Sequence, residues 1–452
     1  MRAEKMRRPG GTFGAAVLAV FVHSGSLKSN PLLAWVPIDL TVLLGALLAV
    51  LVFVEIIRTG YIPRAIWVPL TIAATMLLGV ARIQTSYGVE KATSFFAITM
   101  LALIGAVILL QDDRQRRTFL GALACLGVVV ALLVTILPER TAEWSEVVTL
   151  AGTNTISTSQ MIVAGAVILG MYAIVGRSST YRRVIAAFSA GVMLFIALGT
   201  GSRGPIVAVA ISIATALLLA PVFSRRRLRS VIAICQVGGA GLFIALQQGG
   251  EGLSRVLGFL AGEQDTSTAA RTVLWSTAWN HISQLPFGGG WGYFGTIPEL
   301  GINAVNGGQA YPHSVPLEIA LEAGWLTGLC FVILVFASFV RLVRRAQDPT
   351  SVMFLVLLVF TITNGLLSGD INDNRLMWVL IASAWVMPTR SAADGGDATS
   401  GRDAKPTATA QKAGARSRSV PVGRPVSRPI SSPLRPAAAD HTGAVGRSPR
   451  LL

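Results

Sequence analysis

Apolar residues recur in runs of about twenty along most of this chain, and polar residues fall between the runs rather than alternating with them. A run of that length satisfies its backbone as a helix and matches the hydrocarbon thickness of a bilayer. The pattern predicts spans near 12–26, 32–57, 65–82, 92–110, 118–137, 157–176, 184–200, 205–223, 231–247, 315–340, 351–369 and 376–388. The expected fold class is therefore all-α, a polytopic transmembrane bundle of about twelve helices. The first run follows the basic stretch 1–8 and has features of a signal peptide, but we read it as a retained span.

Charge then orients the bundle. Arg58 and Arg64, Arg114 to Arg117, Arg177 to Arg183, Arg225 to Arg229 and Arg341 to Arg345 fall in alternate loops. With both ends of the bundle placed in the cytoplasm, these loops and the N-terminus hold 19 Lys and Arg, against eight in the external loops: Lys28, Arg82, Lys91, Arg140, Arg203, Arg255, Arg271 and Arg375. That asymmetry is what the positive-inside rule demands. The formal charge of +16 therefore belongs to a protein facing anionic lipid, and nucleic acid is not expected as a partner.

Composition completes the class. Hydrophobic residues make up 52% and charged residues 13%, more apolar surface than one aqueous core can bury. The three cysteines, Cys125, Cys235 and Cys330, sit inside apolar runs and form neither a disulfide framework nor zinc spacing. The expected domains are a bundle over 1–389 and a tail over 390–452. The tail has 11 Lys or Arg, four Asp or Glu and almost no large apolar residues, a composition predicting cytoplasmic disorder.

One external connection, 248–314, is far longer than a loop needs to be, and its aromatic content argues for packed structure. Ser267 or Thr268 is placed to cap a helix with Val273, Leu274, Ala278, Ile282 and Leu285 on one face, ending before Pro286. Arg271 then falls in its first turn. There a guanidinium and free N–H groups make an anion site, although pairing with Glu263 or Asp265 is the competing reading. Gly288 to Gly290 precede Trp291 and Tyr293, aromatics suited either to stacking on sugar rings or to anchoring at the membrane interface. Arg203 lies in a Gly-Ser-Arg-Gly-Pro turn on the same side, where it can also snorkel to the surface. His313, between Pro312 and a helix start, is the candidate general base. Glu318 and Glu322, one turn apart, are read as orienting His313 or stabilising that helix start.

Three segments together, Ser202–Gly204, Arg271–Phe294 and Pro312–Gly328, resemble the O-antigen ligase and polymerase family in order, spacing and external placement. The resemblance covers roughly 199–340 and includes the external loop. It implies a glycosyltransferase-C-like membrane enzyme using a polyprenyl-diphosphate-linked glycan as donor and a glycan or glycolipid acceptor. It further implies Arg203 and Arg271 on the donor diphosphate, His313 as catalytic base, possible support from Glu318, Trp291 and Tyr293, and no cofactor or metal. Asp39 and Arg82 are weaker candidates. Transfer by this scheme is inverting, because the acceptor attacks in line. The competing function, transport or flipping of a lipid-linked glycan, calls for ionisable groups at the midplane or repeated halves. Apart from Asp39 and Glu55 towards span ends, the predicted spans are nearly free of charge, and no internal repeat is evident.

Overall fold

The computed structural model describes residues 10–141, 144–176, 178–219, 266–300, 310–346 and 348–387, with isolated helical positions at 232, 236, 239 and 258. The expected span at 231–247, much of the long connection and the expected tail at 390–452 lie outside the described residues. Contacts divide the chain into one unit over Met1–Thr389 and another over Arg390–Leu452.

Among the described residues, eight helices are long and apolar enough to cross a membrane: Leu40–Thr59, Arg64–Arg82, Ser86–Leu109, Asp113–Ile136, Thr155–Val175, Thr180–Gly199, Trp325–Val343 and Pro349–Leu367. Three shorter apolar helices, Gly11–Phe21, Arg203–Leu218 and Arg375–Val386, accompany them. The protein is a helical multi-pass membrane protein.

Polar side chains set many of these starts. Asp39, Asn154 and Asp348 accept hydrogen bonds from the first turns of the helices they precede. Asp112 and Gln115 form a reciprocal capping box on the Asp113–Ile136 helix. At the same basic end, the buried Arg116 donates to the carbonyls of Leu110 (3.2 Å) and Gln111 (2.8 Å), satisfying the end of the preceding helix.

Two departures shape the opposite end. The run expected as one span, 315–340, is two helices, Val315–Ala323 and Trp325–Val343, broken at Gly324 with φ +96°. A Cβ at Gly324 would lie 2.5 Å from the Pro286 carbonyl oxygen, so only glycine admits the Pro286–Phe287 backbone there. The segment after Ile136 also carries structure of its own kind: Pro138–Thr141 and Trp144–Leu150 pair as a short antiparallel hairpin beside otherwise helical elements. Asn30 donates to the Ala151 carbonyl at 2.9 Å and ties this hairpin to the turn before Leu40.

The core beneath that end is aromatic. Phe95 packs on Trp291 and Trp378, and Phe331 packs on Trp378, with ring centroids 5.2–5.8 Å apart. Phe95–Thr99 is a π-turn interrupting the Ser86–Leu109 helix, a local widening that leaves room for a neighbouring loop. That loop is Ser368–Asn374. Its Asn372 is buried, donates to the Lys91 carbonyl at 3.0 Å and accepts from the Thr99 hydroxyl at 2.9 Å.

Candidate functional site

The site-bearing end has two polar assemblies. The inner one centres on Lys91, which was expected in an external loop and instead lies within a helix at 3% exposure. Its ammonium donates to Glu318 Oε1 and, at 2.5 Å, to Glu322 Oε1; all three side chains are fully buried. The other oxygen of Glu318 accepts from the Ile371 N–H at 2.9 Å, and Glu322 Oε1 also accepts from the Gly292 N–H at 3.1 Å. Both Glu318 oxygens are thus committed. Glu318 stands in the first turn of its helix, as the helix-start reading has it, but its oxygens bind Lys91 and the Ile371 N–H rather than His313, so it also fixes the Ser368–Asn374 loop, while Glu322 fixes the glycine-rich segment. A charged cluster within the helices corrects the expectation of nearly charge-free spans, and burial without partners would be prohibitive.

Trp291 belongs to this assembly. It is 1% exposed, packs on Phe95 and Phe96, and its indole N–H donates to the Met76 carbonyl at 3.3 Å. Its face is therefore unavailable for stacking on a sugar, and it is no interfacial anchor. Tyr293, two residues on, is half-buried, and its hydroxyl meets His281 Nδ1 at 3.3 Å.

The outer assembly centres on His313. Its φ of +54° makes it the one non-glycine in the left-handed region among the described residues, a conformation that costs about 1–2 kcal/mol for an L-residue. Pro312 and Ser314 on either side are buried, and the Tyr311 ring sits 4.4 Å from the imidazole. His313 Nδ1 is sealed from solvent and finds no hydrogen-bond partner among the described residues. An unmet buried nitrogen is costly, and a polar ligand can relieve that cost. Burial and the nearby Arg271 guanidinium hold the imidazole below its usual pKa, while Asp370 opposes them. This favours the neutral ring.

Arg271 reaches this neighbourhood from the Thr266–Ile282 helix. That helix begins before Ser267 and Thr268, so Arg271 stands beyond its first turn rather than in it. Its charge is felt at His313, and Glu263 and Asp265, the competing partners, lie outside the described residues. Arg203 opens the Arg203–Leu219 helix, which packs against Pro349–Leu367; the neighbouring Gly204 faces Asn364 Oδ1, a buried acceptor that finds no partner among the described residues. Six residues after Asn364 comes Asp370.

Asp370 and Asp373 were passed over in the sequence. Asp370 Oδ1 accepts from the Asp373 N–H at 2.7 Å, which holds the two carboxylates in one turn. The Asp370 charge, with enclosure by the surrounding wall, raises Asp373 to about 7, although its side chain still meets solvent. Repulsion by the Asp370 carboxylate is the largest cause. The available signal was a loop of six residues, Gly369–Asn374, holding four Asp or Asn between two apolar runs. Among the described residues no group of three or more His, Cys, Asp or Glu is arranged to hold a metal ion.

Residues 188–332 match the family model of the O-antigen ligase, a match that covers about a third of the chain and supports its assignment to the O-antigen ligase and polymerase family. The match takes in Arg203, Arg271 and His313. At family level it supports a role in membrane glycan transfer and polysaccharide biosynthesis. No curated protein matches the chain.

Proposed function

We propose that this member of the O-antigen ligase family is an inverting glycosyltransferase that moves a glycan from a polyprenyl-diphosphate carrier to an acceptor hydroxyl on the external face of the membrane. The observation that carries the reading is the juxtaposition of Arg271 with a neutral, backbone-strained His313 inside the matched region. His313 accepts the acceptor proton as the hydroxyl oxygen attacks the anomeric carbon. The bond to the carrier phosphate breaks, and its electron pair leaves with the diphosphate. Arg271, joined by Arg203, stabilises the negative charge that develops there, a task for which a planar fork of N–H donors is suited and for which no divalent ion is required. External placement follows from the basic clusters: the opposite end of the bundle carries Arg58, Arg114 to Arg117 and Arg341 to Arg345.

The test is transfer by the purified protein in lipid, from a polyprenyl-diphosphate-linked oligosaccharide to an acceptor glycan, with release of polyprenyl diphosphate. Arg203→Lys and Arg271→Lys keep the charge and lose the fork, so each should weaken donor use. Activity should survive EDTA. Loss in chelator, restored only by a divalent ion, would refute the assignment of the diphosphate to arginine.

A further inference from the structure

A cleft lies beside the glycine-rich segment, apart from Arg271 and His313. It is lined by Arg82, Ile83 and Gln84 on one side and by Phe287, Gly289 and Tyr293 on the other, and its volume is about 510 Å³. We propose that this cleft is a second glycan subsite, holding a sugar unit distant from the one that reacts. The inference rests on the glycosyltransferase reading above.

Chemistry points to a saccharide. The Arg82 guanidinium lies over one face of the Phe287 ring at 5.6 Å and the Gly289 backbone lies against the Tyr293 ring, but Phe287 is still 55% exposed and Tyr293 half-buried, so apolar ring surface remains for the C–H faces of a sugar. Arg82 and Gln84, both exposed, add hydrogen-bonding groups at the opposite wall. One Arg82 amino group already donates to the Phe287 carbonyl at 2.6 Å, which aims the guanidinium and leaves other N–H donors for a ligand. Volume within the 300–1,000 Å³ of ordinary ligand pockets leaves room for more than a single ring.

The walls are preformed. The Gly289 and Gly290 N–H groups donate to the carbonyls of Leu321 (2.8 Å) and Glu322 (3.0 Å), so the floor is pinned to the Val315–Ala323 helix. At Gly290, φ is +98° and a Cβ would meet the Arg82 carbonyl oxygen at 2.1 Å, so the two walls approach through a backbone contact that only glycine allows. A rigid site loses little affinity to ordering.

Position gives the subsite its role. Tyr293 contacts His281, which lies ten residues beyond Arg271 on one helix, or about 15 Å along its axis. A monosaccharide cannot bridge that distance, but an oligosaccharide can. The cleft therefore discriminates glycans by length, and the glycan in it belongs either to the donor or to the acceptor.

Kinetics with the full-length protein in nanodiscs would test this, varying donor and acceptor length independently for wild type, Gln84→Ala and Phe287→Ala. The expected result is an apparent KM raised on the order of tenfold for the multi-sugar form of one substrate, with its single-sugar form and the other substrate unchanged. Which substrate responds identifies the source. Equal effects on short and long glycans, or none, would overturn the subsite. Saturation-transfer NMR with a free oligosaccharide separates this proposal from the reaction itself: binding by wild type that is lost in Phe287→Ala supports the cleft even if no transfer is seen, and absence of binding overturns it.

Discussion

Lys91 with its two glutamates and His313 with its neighbours lie at the same end of the bundle, yet they are built on opposite rules. In the first, ammonium and carboxylates are sealed from solvent and pointed at one another or at backbone N–H groups of two flanking segments, with only Glu322 Oε2 left unmet among the described residues. In the second, a histidine is held in a costly backbone conformation with an unmet ring nitrogen, near an arginine that lowers its basicity. Paired charge stores geometry, whereas unpaired polarity waits for a ligand. The inner cluster fixes the loops on which the outer one depends.

Removing the base should separate the two most widely. His313→Ala is expected to slow transfer by roughly 10² to 10⁴ if His313 is the general base, with membrane abundance and donor binding near normal. Single-turnover transfer and donor binding, measured on the same preparation, check this. Near-normal turnover would return His313 to a structural role.

Lys91→Met attacks the other side of the comparison. It leaves two buried carboxylates without their cation, a loss of about 3–5 kcal/mol by analogy with broken buried pairs. The expected readout is reduced abundance and a lowered unfolding midpoint in detergent. Adding Glu318→Gln and Glu322→Gln to Lys91→Met should restore much of the stability, since the uncompensated charge is gone. If Lys91→Met alone is as stable as wild type and loses only activity, the cluster is chemical rather than structural.

The two assemblies also differ in how far they could be read in the sequence. Long apolar runs became helices close to where hydropathy placed them, because a backbone in lipid has few other ways to satisfy itself. His313 and Arg271 stood out through their motif context. Lys91 did not: a lysine at the head of an apolar run reads as a loop residue, and its partners lie 227 and 231 residues downstream. The break at Gly324 was equally hidden, since a glycine amid apolar residues carries no polarity signal and its necessity comes from Pro286 and Phe287. Asp370 and Asp373 were visible as residues but acquire meaning only through the wall that the Ser368–Asn374 loop joins.

A smaller effect probes the electrostatics of the outer site. His313 must be neutral to act as base, so activity falls as pH drops through its folded pKa, which lies below 6.5. Asp370 is the group that raises it. Asp370→Asn should therefore move the acid limb of kcat/KM to still lower pH. The same change relieves Asp373 of its largest repulsion, so its carboxyl should titrate below its present value of about 7. An acid limb that moves upward would place a different base in the reaction.

The smallest expected effect concerns strain alone. Because the φ of +54° at His313 falls where glycine rests without penalty, His313→Gly should recover about 1 kcal/mol of backbone cost relative to His313→Ala. Both variants lack the imidazole, so their difference excludes the side chain from the comparison. Their unfolding midpoints should differ in favour of glycine while both stay inactive. If alanine is the more stable, the turn before Val315 relaxes freely when the imidazole leaves. The left-handed conformation would then be imposed by the contact with Tyr311 and the burial of the ring, rather than by the buried Pro312 and Ser314 that flank it.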